Sequence, residues 1–271
     1  MARQYTLHRH SAAAGPGIDF EAELNPQQCA AVTAPPGPAL VIAGAGSGKT
    51  RTLTYRVAYL VENGVQPQNI LLLTFTNKAA REMLDRVAAL LPSDLTGLWG
   101  GTFHSIGNRI LRRHPEAAGF ARGFSIMDRE DQQDMLDAVI AGLGINPKDK
   151  RFPKGEVLAD VLSFSINTGR HIEEVLAEKY PHFLEFSTPI AEARKKYEAR
   201  KRAANSLDFD DLLEKTLLLL QEHVEIAGFY QQKFQFILVD EYQDTNRIQA
   251  DFIDILAAKH RNVMVVGDDA Q

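Results

Sequence analysis

Two short stretches hold the residue types that can handle phosphate. The first runs from Ala43 to Thr50, AGAGSGKT, and follows the aliphatic run Ala39–Ala43. It fits the phosphate-loop pattern G-x-x-x-x-G-K-[ST], except that its first position is Ala43 instead of glycine. Gly44, Gly46 and Gly48, with Ala45 and Ser47 between them, leave the backbone bare enough for its N–H groups to approach phosphate oxygens. Lys49 then meets the β- and γ-phosphates and Thr50 offers a hydroxyl to Mg²⁺, at the positive end of the helix that begins there. The second stretch is LVDEYQDTN, Leu238–Asn246. Its apolar run places Asp240 at the C-terminal end of a strand, where open α/β sheets bind ligands. A carboxylate at that place can hold Mg²⁺ through water, and Glu241 beside it suits a general base or water-positioning group.

Such groups need a rigid frame. Four short aliphatic runs read as buried strands: Ala39–Ala43, Ile70–Phe75, Phe236–Glu241 and Asn262–Asp268, with a weaker fifth at Gly97–Phe103. Helical patterns follow from Lys49, over Asn77–Leu91, from His104 and over Thr245–Lys259. Strands alternating with helices predict a parallel sheet with helices on both faces. From about Arg109 to His223 no aliphatic strand run occurs, and the spacing predicts helices only, the first capped by Asp128 and stopped near Gly144. This stretch reads as an all-helical insertion. It holds the basic cluster Ala193–Arg202, ARKKYEARKR, and the segment Asn146–Arg202 carries 12 Lys+Arg against 9 Asp+Glu in a chain of net charge −5. A solvated helix face and a phosphate-backbone contact both explain that cluster. Asp208, Asp210 and Asp211 of LDFDDL open a helix and read as N-cap and dipole partners.

Composition adds bounds. The 271 residues are 45% hydrophobic and 24% charged, ordinary for a globular protein. No apolar run reaches the ~18 residues of a membrane span. Cys29 is the single cysteine, which excludes an intrachain disulfide and suits a reducing, cytoplasmic setting. The chain stops at Gln271 directly after a strand-like run, as expected of a truncated chain.

Seven segments taken in order, LNPQQ, AGAGSGKT, LLTFTNKAAREM, GTFHS, LDFDDL, VDEYQDTN and VVGDDAQ, resemble the motifs of superfamily 1A DNA helicases of the UvrD/PcrA/Rep type. The resemblance spans about Leu24 to Gln271. It implies a P-loop, RecA-like domain made of residues 21–108 and 207–271, a helical inserted subdomain over 109–206, and a disordered leader over 1–20. It implies ATP and Mg²⁺ as cofactors and single-stranded DNA, with its junction to duplex, as partner. Gln28 matches the glutamine that reads the adenine edge, and Arg51 an arginine near the nucleotide. Phe75, Thr76 and Asn77, with Thr102, Phe103 and His104, match two DNA-facing loops. Gln271 matches a glutamine that senses the γ-phosphate. The implied activity is the N-terminal motor portion of an ATP-dependent 3′–5′ DNA helicase acting in repair or replication, which lacks its second RecA-like domain and hydrolyses ATP poorly alone. A short ATP-responsive DNA-binding module without motor activity is one alternative. The motor part of a RecB/AddA-like helicase–nuclease is another.

Overall fold

The computed structural model describes residues 17–44, 46–92, 94–144 and 152–268. Along the chain these form α1 (Phe20–Glu23), α2 (Pro26–Val32), β1 (Ala39–Ile42), α3 (Lys49–Glu62), β2 (Ile70–Thr74), α4 (Asn77–Leu90), β3 (Trp99–Thr102) and α5 (Phe103–Arg113). Then come β4 (Ser125–Ile126), α6 (Arg129–Gly142), α7 (Gly155–Thr168), α8 (Ile172–Lys179), α9 (Ser187–Ala203) and β5 (Ser206–Leu207). The chain closes with α10 (Asp211–Glu222), α11 (Val224–Lys233), β6 (Phe236–Val239), α12 (Arg247–Ala257) and β7 (Val263–Gly267).

Five strands make one parallel sheet in the order β1-β7-β6-β2-β3. Strand alternation divides β2 between two cores. Ile70 and Leu72 pack with Leu53 and Val57 of α3 and with Met83 and Val87 of α4. Leu71 and Leu73 pack on the other face with Ile106 and Ile110 of α5, Leu212 of α10 and Phe252 of α12. Burial on both sides is what a continuous Ile/Leu run requires. The edge strand departs from that pattern: Leu40 and Ile42 of β1 are 65% and 58% exposed. Parallel pairing aligns all five C-terminal ends, so the segments after β1, β2, β3, β6 and β7 share one edge of the sheet.

A third core, from Met127 to Tyr197, belongs to α6, α7 and α9 with Val175 and Leu176 of α8. Ile110, Leu111, Phe120 and Phe124, inside the stretch expected to be inserted, belong instead to the sheet's own core. Two two-residue strands, β4 and β5, pair in parallel at the junction, where only helices were expected. Two residues are too few for a period of two to be read from sequence. Of the expected leader, residues 1–16 lie outside the described residues. Beyond them the chain is ordered earlier than residue 21: Ile18 N donates to Glu62 Oε1 at 3.0 Å, and Asp19 caps α1.

The acids of LDFDDL hold the inserted helices to the sheet. Lys201 of α9 lies 2.8 Å from Asp208, 2.6 Å from Asp211 and 2.8 Å from Glu198, and its side chain is 3% exposed. Tyr197 Oη donates to Asp208 Oδ2 at 2.8 Å. Burial works against the Lys201 ammonium, but Asp211, Asp208 and Glu198 outweigh it and raise its pKa. Asp208 and Asp211 also exchange backbone contacts, each carboxylate accepting the other's N–H at 2.9 Å. Asp210, the residue before α10, makes no side-chain cap bond. The expected structural role of these acids therefore takes the form of a buried ion-pair network more than of a helix cap.

Candidate functional site

The phosphate loop is built from glycine conformations. Gly46 and Gly48 have φ of +76° and +88°, a region that side chains rarely adopt. Ser47 N and Oγ donate to Gly44 O at 3.2 and 2.6 Å, which closes the turn. A Cβ on Gly48 would lie 2.6 Å from Gln28 Nε2. That amide donates to Ser47 O at 3.0 Å, while its oxygen accepts Asn25 N at 3.3 Å in the capping box of α2. Gln28 thus ties α2 to the loop. Ala45, expected in the loop, lies outside the described residues, as does Gln271.

Lys49 and Thr50 open α3 and face the C-terminal end of β6. Lys49 Nζ is 3.1 Å from Glu241 Oε2 and 3.6 Å from Asp268 Oδ2, and its side chain is 10% exposed. Burial opposes the ammonium, yet the hydrogen bond and charge of Glu241, with Asp268, leave its pKa raised. Thr50 Oγ1 donates to Asp240 Oδ2 at 3.3 Å. Asp240 is buried, and burial first, then the neighbouring Glu241 charge, raises its carboxyl pKa. A buried carboxylate beside a second carboxylate and a threonine hydroxyl is a donor set that a hard divalent cation would satisfy. Glu241 reaches the loop because its backbone is left-handed, with φ +50°. Few non-glycine residues adopt that region without a reason.

Two residues of this site were not singled out from sequence. Gln243 donates from Nε2 to Glu241 Oε2 at 2.7 Å and accepts Asp268 N on Oε1 at 3.0 Å, so it fixes Glu241 against the end of β7. A Cβ on Gly267 would lie 3.0 Å from that same Oε1. Asp268 supplies the second carboxylate to Lys49. Sequence signalled them only as unassigned members of VDEYQDTN and VVGDDAQ, beside strand ends. Gly46, Gly48, Lys49, Thr50, Arg51, Asp240, Glu241 and Gln243 line a cleft of about 700 Å³. Arg51 stands at its rim, its guanidinium held by Glu23 O at 2.8 Å and Tyr55 Oη at 3.2 Å.

A second hollow, of about 390 Å³, gathers Phe75, Thr76, Asn77, Thr102 and His104. Thr76 Oγ1 and Thr102 Oγ1 accept Ala79 N and Ser105 N and so cap α4 and α5, which directs two helix N-termini toward it. Phe103 does not line it; at 1% exposure it is core, with Phe75 packed on it at 5.5 Å. Sequence could not tell which of the two aromatics would face outward. Phe209, not singled out from sequence, lines the hollow, is 60% exposed and stacks on His104 at 3.9 Å and 22°. Asn108 Oδ1 is buried there without a hydrogen-bond partner. Burial lowers the His104 pKa to about 4, so the ring is neutral near pH 7. Phe75 and Thr76 line both hollows, so the two are joined at the end of β2.

A parallel sheet whose first strand feeds a glycine-rich loop and a Lys-Thr helix start, with an acidic pair ending a strand two places away, defines a P-loop domain of RecA-like class. The chain belongs to the family described as UvrD/REP helicase N-terminal domain, whose model matches residues 24–271. It is 42% identical over 257 residues to the ATP-dependent DNA helicase PcrA of Bacillus subtilis, covering 92% of this chain and 33% of that protein. The helicases of the same name from Leuconostoc citreum and Staphylococcus aureus are 40% and 39% identical, with the same coverage. The chain therefore spans about a third of the length of these relatives.

Proposed function

We propose that this chain is the nucleotide-binding motor portion of an ATP-dependent DNA helicase. ATP-Mg²⁺ binds in the larger cleft and single-stranded DNA in the adjoining hollow. The observation that carries this reading is the junction of the two at Phe75 and Thr76. In this reading Lys49 binds the β- and γ-phosphates, and Thr50 and Asp240 hold the metal, which supplies charge neutralisation when bound. Glu241, aligned by Gln243, holds and accepts the proton of an attacking water. Gln28 contacts the base once the nucleotide is present, and Gln271 senses the γ-phosphate. A second RecA-like domain closes the cleft from the opposite side, and the directional 3′–5′ movement requires both.

On the DNA side, exposed Phe209 and half-buried Phe75 offer base-stacking surfaces. The N-termini of α4 and α5, with Asn77, offer phosphate contacts. The helical insertion, α6 to α9, presents the basic face of α9 to the duplex ahead of the single strand. Stacking is worth about 1–3 kcal/mol per base, or about 5- to 150-fold in affinity. Binding of oligo-dT followed by fluorescence anisotropy tests the reading. Phe209→Ala and Phe75→Ala are each expected to weaken binding at least fivefold or so, and affinity is expected to fall with added salt. Unchanged affinity in both variants, with folding intact, would exclude this hollow as the DNA site.

A further inference from the structure

The nucleotide cleft and the DNA hollow meet at the end of β2, but a second link joins them from behind, through the inserted helices. Asn167 lies in the last turn of α7. Its Oδ1 accepts from Asn246 Nδ2 at 2.9 Å, and its Nδ2 donates to Asp210 Oδ1 at 3.0 Å. Ser163 O, at 2.9 Å, and Ser163 Oγ, at 3.2 Å, receive the same amide nitrogen and hold its orientation. The two partners belong to the two sites. Asn246 caps α12 and is joined to Glu241 by the single 3-10 turn Tyr242–Asp244. Asp210 follows Phe209, which stacks on His104.

The chemistry of the link explains the residue type. A carboxamide carries one acceptor and one donor group, so Asn167 can accept from one segment and donate to the other. An aspartate would turn a carboxylate toward Asp210, and an aliphatic side chain would leave Asn246 Nδ2 unpaired and Asp210 with Ser163 but no tie to α12. Asn246 divides its amide in the same manner. Its Oδ1 accepts Gln249 N at 3.1 Å to cap α12, which leaves Nδ2 for Asn167. The turn of α7 that carries Asn167 is itself fixed, because Ile166 packs against the sheet's core and Gly169 ends the helix with φ +68°. α10 also packs on α12, but apolar packing has no fixed direction, whereas these hydrogen bonds register the Glu241 segment against the Phe209 segment.

We propose that Asn167 is a positioning residue through which occupancy of the nucleotide cleft and of the DNA hollow affect each other. The inference rests on the two-ligand reading above. A shift of Glu241 toward a bound nucleotide moves the start of α12; Asn167 passes that movement to Asp210 and so to Phe209. Linkage makes the effect reciprocal: nucleotide alters DNA affinity by the same factor by which DNA alters nucleotide affinity.

The experiment is a binding cycle on the full chain. Oligo-dT affinity is measured without nucleotide and with saturating Mg²⁺ and a non-hydrolysable ATP analogue, in wild type, Asn246→Asp and Asn167→Ala. Asn246→Asp keeps the cap acceptor and replaces the donor to Asn167 by a carboxylate oxygen that cannot make that bond, so a residue that merely caps α12 would leave the cycle unmoved. Wild type is expected to show a coupling factor of about fivefold or more. Both variants are expected to fall to within about twofold of unity, while nucleotide affinity without DNA stays within about twofold of wild type. Wild-type coupling in both folded variants would overturn the proposal. So would a wild type that binds both ligands independently, or loss of folding in both variants, which would assign Asn167 to stability alone. A wild type that fails to bind one of the ligands would remove the function proposed above, and this inference with it.

Discussion

Replacing Gly48 with alanine separates backbone conformation from side-chain contact in the phosphate loop. Gly48 has φ +88°, and an L-residue there costs about 1–2 kcal/mol. The new Cβ would also stand 2.6 Å from Gln28 Nε2, the far end of a flexible side chain. Gln28 can swing away, but it then gives up its 3.0 Å bond to Ser47 O, a contact worth about 0.5–1.5 kcal/mol. Gly48→Ala should therefore destabilise by about 1.5–3.5 kcal/mol. Gln28→Ala removes the same bond and should cost about 0.5–1.5 kcal/mol by itself. In the double variant the bond is already absent, so only the backbone cost is added. The double should match Gly48→Ala alone, short of the additive sum by about 0.5–1.5 kcal/mol. Urea unfolding read from the fluorescence of Trp99, the only tryptophan and 1% exposed, measures all three. Strict additivity would refute the contact between Gln28 and the loop. A cost below about 0.5 kcal/mol for Gly48→Ala would refute the left-handed loop itself.

Lys201→Met should cost about 3–5 kcal/mol in the same assay, because it removes the cation paired with buried Asp208 and leaves Asp211 only Lys215 at 3.5 Å; a loss under about 1 kcal/mol would mean that the network is not dry. His104 makes stability depend on pH. Its pKa is about 4 folded against 6.5 unfolded, so between those values the unfolded chain binds more protons. Its contribution is complete above about pH 6.5 and is lost as pH falls toward 4 and below, by at most about 3.5 kcal/mol. The stability difference between His104→Phe and wild type, followed from pH 7 to 4, checks this, and a flat difference would contradict it.

The parts of the site that follow from local chain requirements were legible in the sequence. A loop that must reach left-handed φ shows itself as glycine, and a metal-binding carboxylate at a strand end shows itself as an acid after an aliphatic run. Lys49, Thr50 and Asp240 are accordingly found together. What depends on contacts between distant segments was not legible. The left-handed backbone of Glu241 has no residue-type signature, because glutamate is not a turn residue. Gln243 matters only because Asp268 N and Glu241 converge on it from two strands. Phe209 sits in an acid-rich stretch that reads as a helix start, and only the fold places it against His104, more than a hundred residues earlier. Conversely, the aliphatic run of β1 resembles that of the interior strand β2, yet β1 is an edge strand with Leu40 and Ile42 exposed. Residue type alone does not report position within a sheet.

The phosphate loop is the centre of the account, and titration calorimetry of the wild-type chain and Lys49→Ala with ATP in Mg²⁺ tests it most directly. Lys49 would exchange its contacts with Glu241 and Asp268 for phosphate oxygens on binding. A charge-assisted hydrogen bond contributes about 1.5–3 kcal/mol, so the variant should bind at least about tenfold more weakly while retaining its unfolding transition. Equal affinity for wild type and variant, both folded, would contradict the assignment of this loop to phosphate.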